Sequence, residues 1–253
     1  MYHNSESFSV NTSEITRTYN VYRDGYGAIP SYPAGIKELI SKVRDAAGWE
    51  TGITHEGFRR GGFESRNIDM YGYDTERSLA VIQIRRAWRK KASWYTDISK
   101  VYALVGLDDG QVFSHPLLTS PRRNRYLGCL APEEVVQWAE SKIFGIPVAK
   151  LGTIVRQGDI ALVPVRGISR DAIPSPRAVR REDGVYTLTM RDSHEVQVDG
   201  ALLLHNRALY VDGVVEVVHT KHEHKSIAGT GKFKIVAGER AGSPEWLDAT
   251  LGD

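Results

Sequence analysis

The chain has few of the side chains that most often announce a chemistry. Its 253 residues include one cysteine, Cys129, which excludes an internal disulfide framework and any cysteine-rich zinc site. It contains no Gly-x-Ser-x-Gly elbow, no His-Glu-x-x-His helix and no cysteine pair, so the usual signatures of serine hydrolases, zinc proteases and dithiol enzymes are missing. No apolar run approaches the roughly 20 residues that span a bilayer. The opening MYHNSESFSV is polar, with none of the apolar core of a signal peptide. These absences predict a soluble cytoplasmic protein with no membrane partner. There is no repeat of fixed period and no low-complexity tract. Hydrophobic residues make up 41%, and 12 Tyr and 5 Trp are present, a composition that can build a core and differs from that of disordered chains.

Charge is nearly balanced, with 33 basic residues against 31 acidic ones, but it is unevenly placed. The middle of the chain is basic and the last residues are acidic. Of the basic residues, 22 are Arg, which suits planar, bidentate contacts to phosphate or carboxylate. Three stretches stand out. Arg85, Arg86, Trp88, Arg89 and Lys90 precede Trp94 and Tyr95; Arg122, Arg123 and Arg125 precede Tyr126; and Arg177 to Arg181 lie in a Pro-bearing linker. Basic residues interleaved with aromatics can hold a nucleic-acid backbone and stack its bases. The first two stretches are therefore the candidate nucleic-acid-binding residues.

Two helices are legible. After Pro33, Ile36, Leu39, Ile40 and Val43 recur at helical spacing, and Gly48 supplies a stop. The second helix starts at Pro132, where the missing N–H costs nothing. Glu133 and Glu134 sit at its positive end, Val135, Val136, Trp138, Ala139 and Ile143 form its apolar face, and Gly145 ends it. Most of the remainder reads as strands. Ser78 to Ile84 is apolar on both faces, as in a strand buried on both sides. Runs at 101–107, 111–114, 185–190, 201–204, 208–211, 214–219 and 232–236 complete the set. Asp-Gly pairs at 24–25, 109–110, 183–184, 199–200 and 212–213 predict tight hairpin turns. Gly229-Thr230-Gly231-Lys232 lacks the spacing of a phosphate-binding loop and reads as a glycine turn between strands. The segment 167–183, rich in Pro, Arg and Ser, reads as an exposed loop.

The fold expected is α+β. An N-terminal α+β part with two helices and a mixed or antiparallel sheet is followed by a mostly antiparallel β-barrel or sandwich. The expected division is 1–150 and 151–253, with the boundary between about 146 and 153. The first part is the candidate nucleic-acid-holding part and the second carries the histidines.

Five of the eight histidines fall in the last 60 residues: His194, His205, His219, His222 and His224. On a strand, His222 and His224 share a face, a geometry that metal sites use. His194, Glu216 or Asp192 could then supply a third ligand to a divalent transition metal. The same groups could instead transfer protons near neutral pH. Lys221, Lys225, Lys232 and Lys234 lie close in sequence and favour an anionic substrate over a cation.

The C-terminal part also resembles a family of small, uncharacterised bacterial and phage proteins. The likeness is carried by Arg156-Gln157-Gly158-Asp159, then His194, Leu209-Tyr210-Val211, the His219–His224 segment and Gly231-Lys232-Phe233. It covers about 154–240. Where the family has two histidines in its first element this chain has only His194, and Phe233 takes a tyrosine position. The resemblance singles out histidines and implies no particular reaction.

The function expected is an RNA-binding protein acting as a ribonuclease or other phosphodiester-acting enzyme. His194, His219, His222, His224, Lys221, Lys225 and Lys232 are its candidate catalytic residues, and it needs no cofactor. The alternatives are a cupin-like metal enzyme with His222 and His224 as ligands, and a non-enzymatic phage or host-defence binding module.

Overall fold

A computed structural model describes residues 33–46, 63–89, 97–108, 110–121, 130–191, 193–221 and 226–238. These fold as two compact units, one formed by 33–107 and 112–139 and the other by 140–238. The division falls inside the second helix, a few residues before the expected boundary.

The first unit is a four-stranded antiparallel sheet with helices on both faces. Its strands are β1 (Phe63–Asp74), β2 (Leu79–Arg89), β3 (Asp97–Asp108) and β4 (Gln111–Pro116), in the order β1-β2-β3-β4. Helix α1 (Ala34–Ala46) buries Ile36, Leu39, Ile40 and Val43, the stripe expected from the sequence, against Ala80, Ile82, Ile84, Val101, Ala103 and Val105. Helix α2 (Pro132–Phe144) approaches the opposite face at Gly72, where an added Cβ would lie 2.5 Å from Val135 Cβ and 2.6 Å from the Pro132 carbonyl. A bulge between Met70 and Gly72 makes this two-sided burial possible. The extra residue changes which face the following positions occupy, so Gly72 stands opposite Val81 while Tyr73 stands opposite Ala80 on the α1 side. Every residue from Leu79 to Ile84 is buried, as a strand covered on both faces requires. Glu134 accepts the Ala131 amide at 2.8 Å, satisfying one of the free N–H groups at the start of α2. Gly145, at φ +62, ends the helix.

The second unit contains a short helix α3 (Val148–Leu151) and eight strands: β5 (Val155–Gln157), β6 (Ile160–Pro164), β7 (Ile173–Pro174), β8 (Val179–Arg180), β9 (Tyr186–Met190), β10 (His194–His205), β11 (Ala208–His219) and β12 (Ile227–Ala237). The hydrogen-bonded order is β5-β6-β12-β11-β10-β9-β8, with β7 pairing β10 beyond the end of β9. All pairings are antiparallel, and among the described residues no pairing closes the sheet on itself. Val196, Val198, Leu202, Val211, Val215, Val217, Phe233 and Ile235 form its buried core with Ile160, Leu162 and Leu188. The protein is thus α+β, with two antiparallel sheets.

Several turn expectations need correction. Gly184 does lie in a turn, at φ +90. The pairs 199–200 and 212–213, in contrast, lie in the middle of β10 and β11. Gly200 pairs with Gly213, and Gly213 with Gly231 of β12. All three have positive φ, of +137, +146 and +133. The segment 208–219 is accordingly one strand, and Gly229–Lys232 is strand interior. The glycines still supply the conformation that only glycine adopts cheaply, but they use it to bend three adjacent strands along one line. The true β10–β11 turn is Asn206-Arg207, both at positive φ, the pattern of a tight two-residue hairpin loop.

The bend has a measurable consequence. In the ladder, Leu162 of β6 is level with Ile235, Leu209 and Leu204, at the far end of β10 from His194. A flat sheet would hold Asp159, three residues beyond that row and three strands away, on the order of 45 Å from His194. Asp159 Oδ1 instead lies 3.7 Å from His194 Nδ1. The sheet curls until the β5–β6 turn meets the start of β10.

Candidate functional site

The meeting point is built from three turns. The first follows β5: Gly158 takes φ +52, and Asp159 enters β6 with only 2% of its surface exposed. The second joins β9 to β10: Arg191 takes φ +54, and Ser193 lies just before His194. The third follows His219, the last residue of β11, where the Thr220 amide donates to the Ser193 carbonyl at 2.7 Å. His194 and His219 are direct cross-strand partners. Their rings meet edge to face with centroids 4.7 Å apart, and they are 1% and 5% exposed.

Hydrogen bonding assigns the protons. The Lys221 amide donates to His219 Nδ1 at 3.3 Å, so the neutral ring of His219 carries its proton on Nε2. The single hydroxyl proton of Ser193 goes to the Arg191 carbonyl at 3.1 Å. Ser193 Oγ then accepts from His194 Nδ1, also at 3.1 Å, which leaves the lone pair of His194 on Nε2. The Asp159 carboxylate on the same side favours a proton at Nδ1. Arg191 Nε stands 3.7 Å from Asp159 Oδ2, and the Arg191 guanidinium also donates to the Gly238 carbonyl. The Gly238 amide donates to the Asp159 carbonyl at 2.7 Å. Farther along β5, Arg156 pairs with Glu140 of α2 at 3.1 Å.

Of the seven candidate catalytic residues, the structure brings together His194 and His219, with Lys221 exposed beside them. It places Lys232 elsewhere: this side chain is opposite Asp212, near the middle of β11, and pairs with it at 3.4 Å. Lys232 is near His219 in sequence, but strand pairing sets it at the glycine bend. His222, His224 and Lys225, and with them the proposed metal-ligand pair, lie outside the described residues. So do Lys90, Arg122, Arg123 and Arg125. Arg85, Arg86, Trp88 and Arg89 occupy the outer half of β2, in register with β1 and β3; their side chains also lie outside what is described. Among the described residues no group of three His, Cys, Asp or Glu could hold a metal ion.

Asp159, Arg191 and Ser193 are not legible as site residues in the sequence. Asp159 carries a faint signal, as a carboxylate placed straight after a positive-φ glycine in a tight turn. Arg191 and Ser193 carry none, because it is the curl of the sheet that brings them to Asp159 and His194.

No protein-family model matches the chain, and neither a curated protein nor a solved structure resembles it significantly. No helix among the described residues is long and apolar enough to cross a membrane.

Proposed function

We propose that the chain is an RNA-binding, phosphodiester-acting enzyme whose reaction centre is the His194–His219 pair of the second unit, within a sheet read as an incompletely closed barrel. The observation that carries this is the edge-to-face contact of two cross-strand imidazoles, with the Asp159 carboxylate 3.7 Å from His194 Nδ1 and the exposed Lys221 beside His219. The Nε2 atoms of both rings are buried in this structure, so RNA cleavage requires the turns around them to open; His194 Nε2 then accepts the proton of the 2′-hydroxyl as its oxygen attacks phosphorus. The bond from phosphorus to the 5′-oxygen breaks, and the resulting imidazolium returns the proton to the departing oxygen. His219 Nε2–H donates to a phosphate oxygen, and the Lys221 ammonium offsets charge developing there. Asp159 is a positioning residue: it favours the reactive tautomer and does not touch the substrate. His222, His224 and Lys225 are further candidates for phosphate contacts.

A second reading has its own observation. Both rings are almost fully buried, as in a polar clasp of a non-enzymatic binding module. Cleavage of labelled RNA by wild type, His194→Gln and His219→Gln, with thermal melts alongside, separates the two. Loss of about 100-fold or more in rate with folding retained supports catalysis. Unchanged cleavage, or no cleavage by wild type, supports the clasp. Activity surviving EDTA supports the metal-free mechanism, and activity lost to EDTA and restored by a transition metal returns the argument to His222 and His224.

A further inference from the structure

The third basic stretch, Arg177 to Arg181, takes no part in the site above, and the structure gives it a definite form. Between β6 and β9 the chain runs as a connection with turns at 169–172 and 175–178, where the Ala172 and Ala178 amides donate to the Ser169 and Ser175 carbonyls, and it is held to the sheet at many points. The Val165 amide donates to the Lys232 carbonyl at 2.9 Å, and the Ser175 amide to the Leu202 carbonyl at 2.9 Å. β7 pairs with Leu203 and Leu204, and β8 pairs with Thr187 and Tyr186. The Arg181 amide donates to the Val185 carbonyl at 2.8 Å. On this fixed backbone stand Arg166, Arg170, Arg177, Arg180 and Arg181, all exposed, with Asp171 the only acid in the same span. Arg181 pairs with Asp183 at 3.0 Å, and Arg180 lies over the Tyr186 ring at 5.8 Å. Among the described residues, Arg166, Arg170 and Arg177 have no carboxylate partner.

We infer that the strip 165–181 is the surface that binds the phosphate backbone of single-stranded RNA. The inference rests on the RNA reading above and moves the binding surface to the second unit. Five exposed guanidinium groups distributed along sixteen residues of tethered chain suit a linear polyanion, whose charges recur along its length, better than a compact acidic patch on a protein. Guanidinium also matches phosphate in a bidentate way that ammonium does not. Because the backbone is already held, less freedom is lost on binding than in an unanchored basic tail. Tyr186, packed against the core with Arg180 over its ring, holds one of these guanidinium groups in place beside the strip.

The test uses the full chain with a fluorescein-labelled 2′-O-methyl oligouridylate, which lacks the free 2′-hydroxyl and so reports binding without cleavage. Anisotropy is followed across a salt series for wild type and for the triple variant Arg166→Gln, Arg170→Gln, Arg177→Gln. Wild-type affinity should fall steeply with salt. The triple variant should bind about tenfold more weakly at low salt, with a log–log salt slope shallower by about 2, as loss of three single-strand phosphate contacts requires. All three side chains are exposed, so the variant should melt as wild type does; Arg170→Gln alone, with a slope change of about 0.7, serves if the triple variant does not fold. Wild-type binding that is unaltered in the variants overturns the strip and leaves the RNA reading standing. Failure of wild type to bind overturns the strip, while cleavage by His194→Gln relative to wild type decides the catalytic reading separately. A poly-glutamate peptide competing as well as unlabelled RNA overturns the inference in favour of an acidic protein partner.

Discussion

Gly213 shows how much one residue can decide. A Cβ there would lie 2.2 Å from the Asp199 carbonyl oxygen and 2.9 Å from Gly200 Cα, with φ at +146. Both obstacles are backbone, so no side chain can move aside. Gly213→Ala should therefore cost about 3 kcal/mol, combining the strain of that φ with overpacking. Chemical denaturation measures it, and a loss below about 1 kcal/mol would mean the strand can straighten. Tyr73 makes a different point. Burial, and then the Glu133 carboxylate at the start of α2, raise its phenol above the usual 10.0. A raised folded-state value means that the unfolded chain ionises first. The contribution is intact below pH 10 and is lost as pH rises through the folded-state value. Tyr73→Phe should remove that part of the alkaline destabilisation, seen as a smaller drop in Tm between neutral pH and pH values above 10 than wild type shows.

At the scale of elements, helices are the most legible part of the sequence. The stripe of α1 and the start, face and end of α2 can all be read, because a helix is specified by neighbours three and four residues apart. The buried strand at 79–84 is legible for a similar reason, since both of its faces are apolar. The central strands of the second sheet are not. Asp-Gly in sequence reports positive φ, and positive φ serves a hairpin or a bend equally well. Only the pairing of Gly200, Gly213 and Gly231 across three strands distinguishes the two. The link between α2 and β5 is also hidden: Glu140 is 1% exposed and its partner Arg156 lies 3.1 Å away. Arg156→Met leaves this buried carboxylate without that cation and should cost about 3 kcal/mol. Adding Glu140→Leu should recover much of the loss, because an apolar pair of similar volume often replaces a buried ion pair at little cost. Denaturant midpoints for the two single variants and the double variant give the answer directly. A double variant as unstable as Arg156→Met alone would show that the pair is not the unit of stability.

At the scale of the molecule, the candidate site exists because the second sheet curls. Asp159, Arg191, His194 and His219 come from separate turns and strand ends, and no local pattern foretells their meeting. The histidines themselves are legible as a cluster, but their grouping by sequence misleads in part: Lys232 belongs to the glycine bend, while the more distant Asp159 belongs to the site. The same contacts that orient His194 also hold the β5–β6 turn against the start of β10, so chemistry and stability should be coupled here. A double-mutant cycle with Asp159→Asn and His194→Gln tests this. If the two groups interact only across the clasp, their effects on unfolding free energy should fall short of additivity by about 1 to 2 kcal/mol. The cleavage rate should respond differently. Asp159→Asn keeps the shape of the side chain and removes the charge that favours the Nδ1 proton, so it should slow cleavage more at saturating RNA than it weakens RNA binding. A binding defect that accounts for the whole loss of activity would assign Asp159 to the clasp alone and remove it from the reaction.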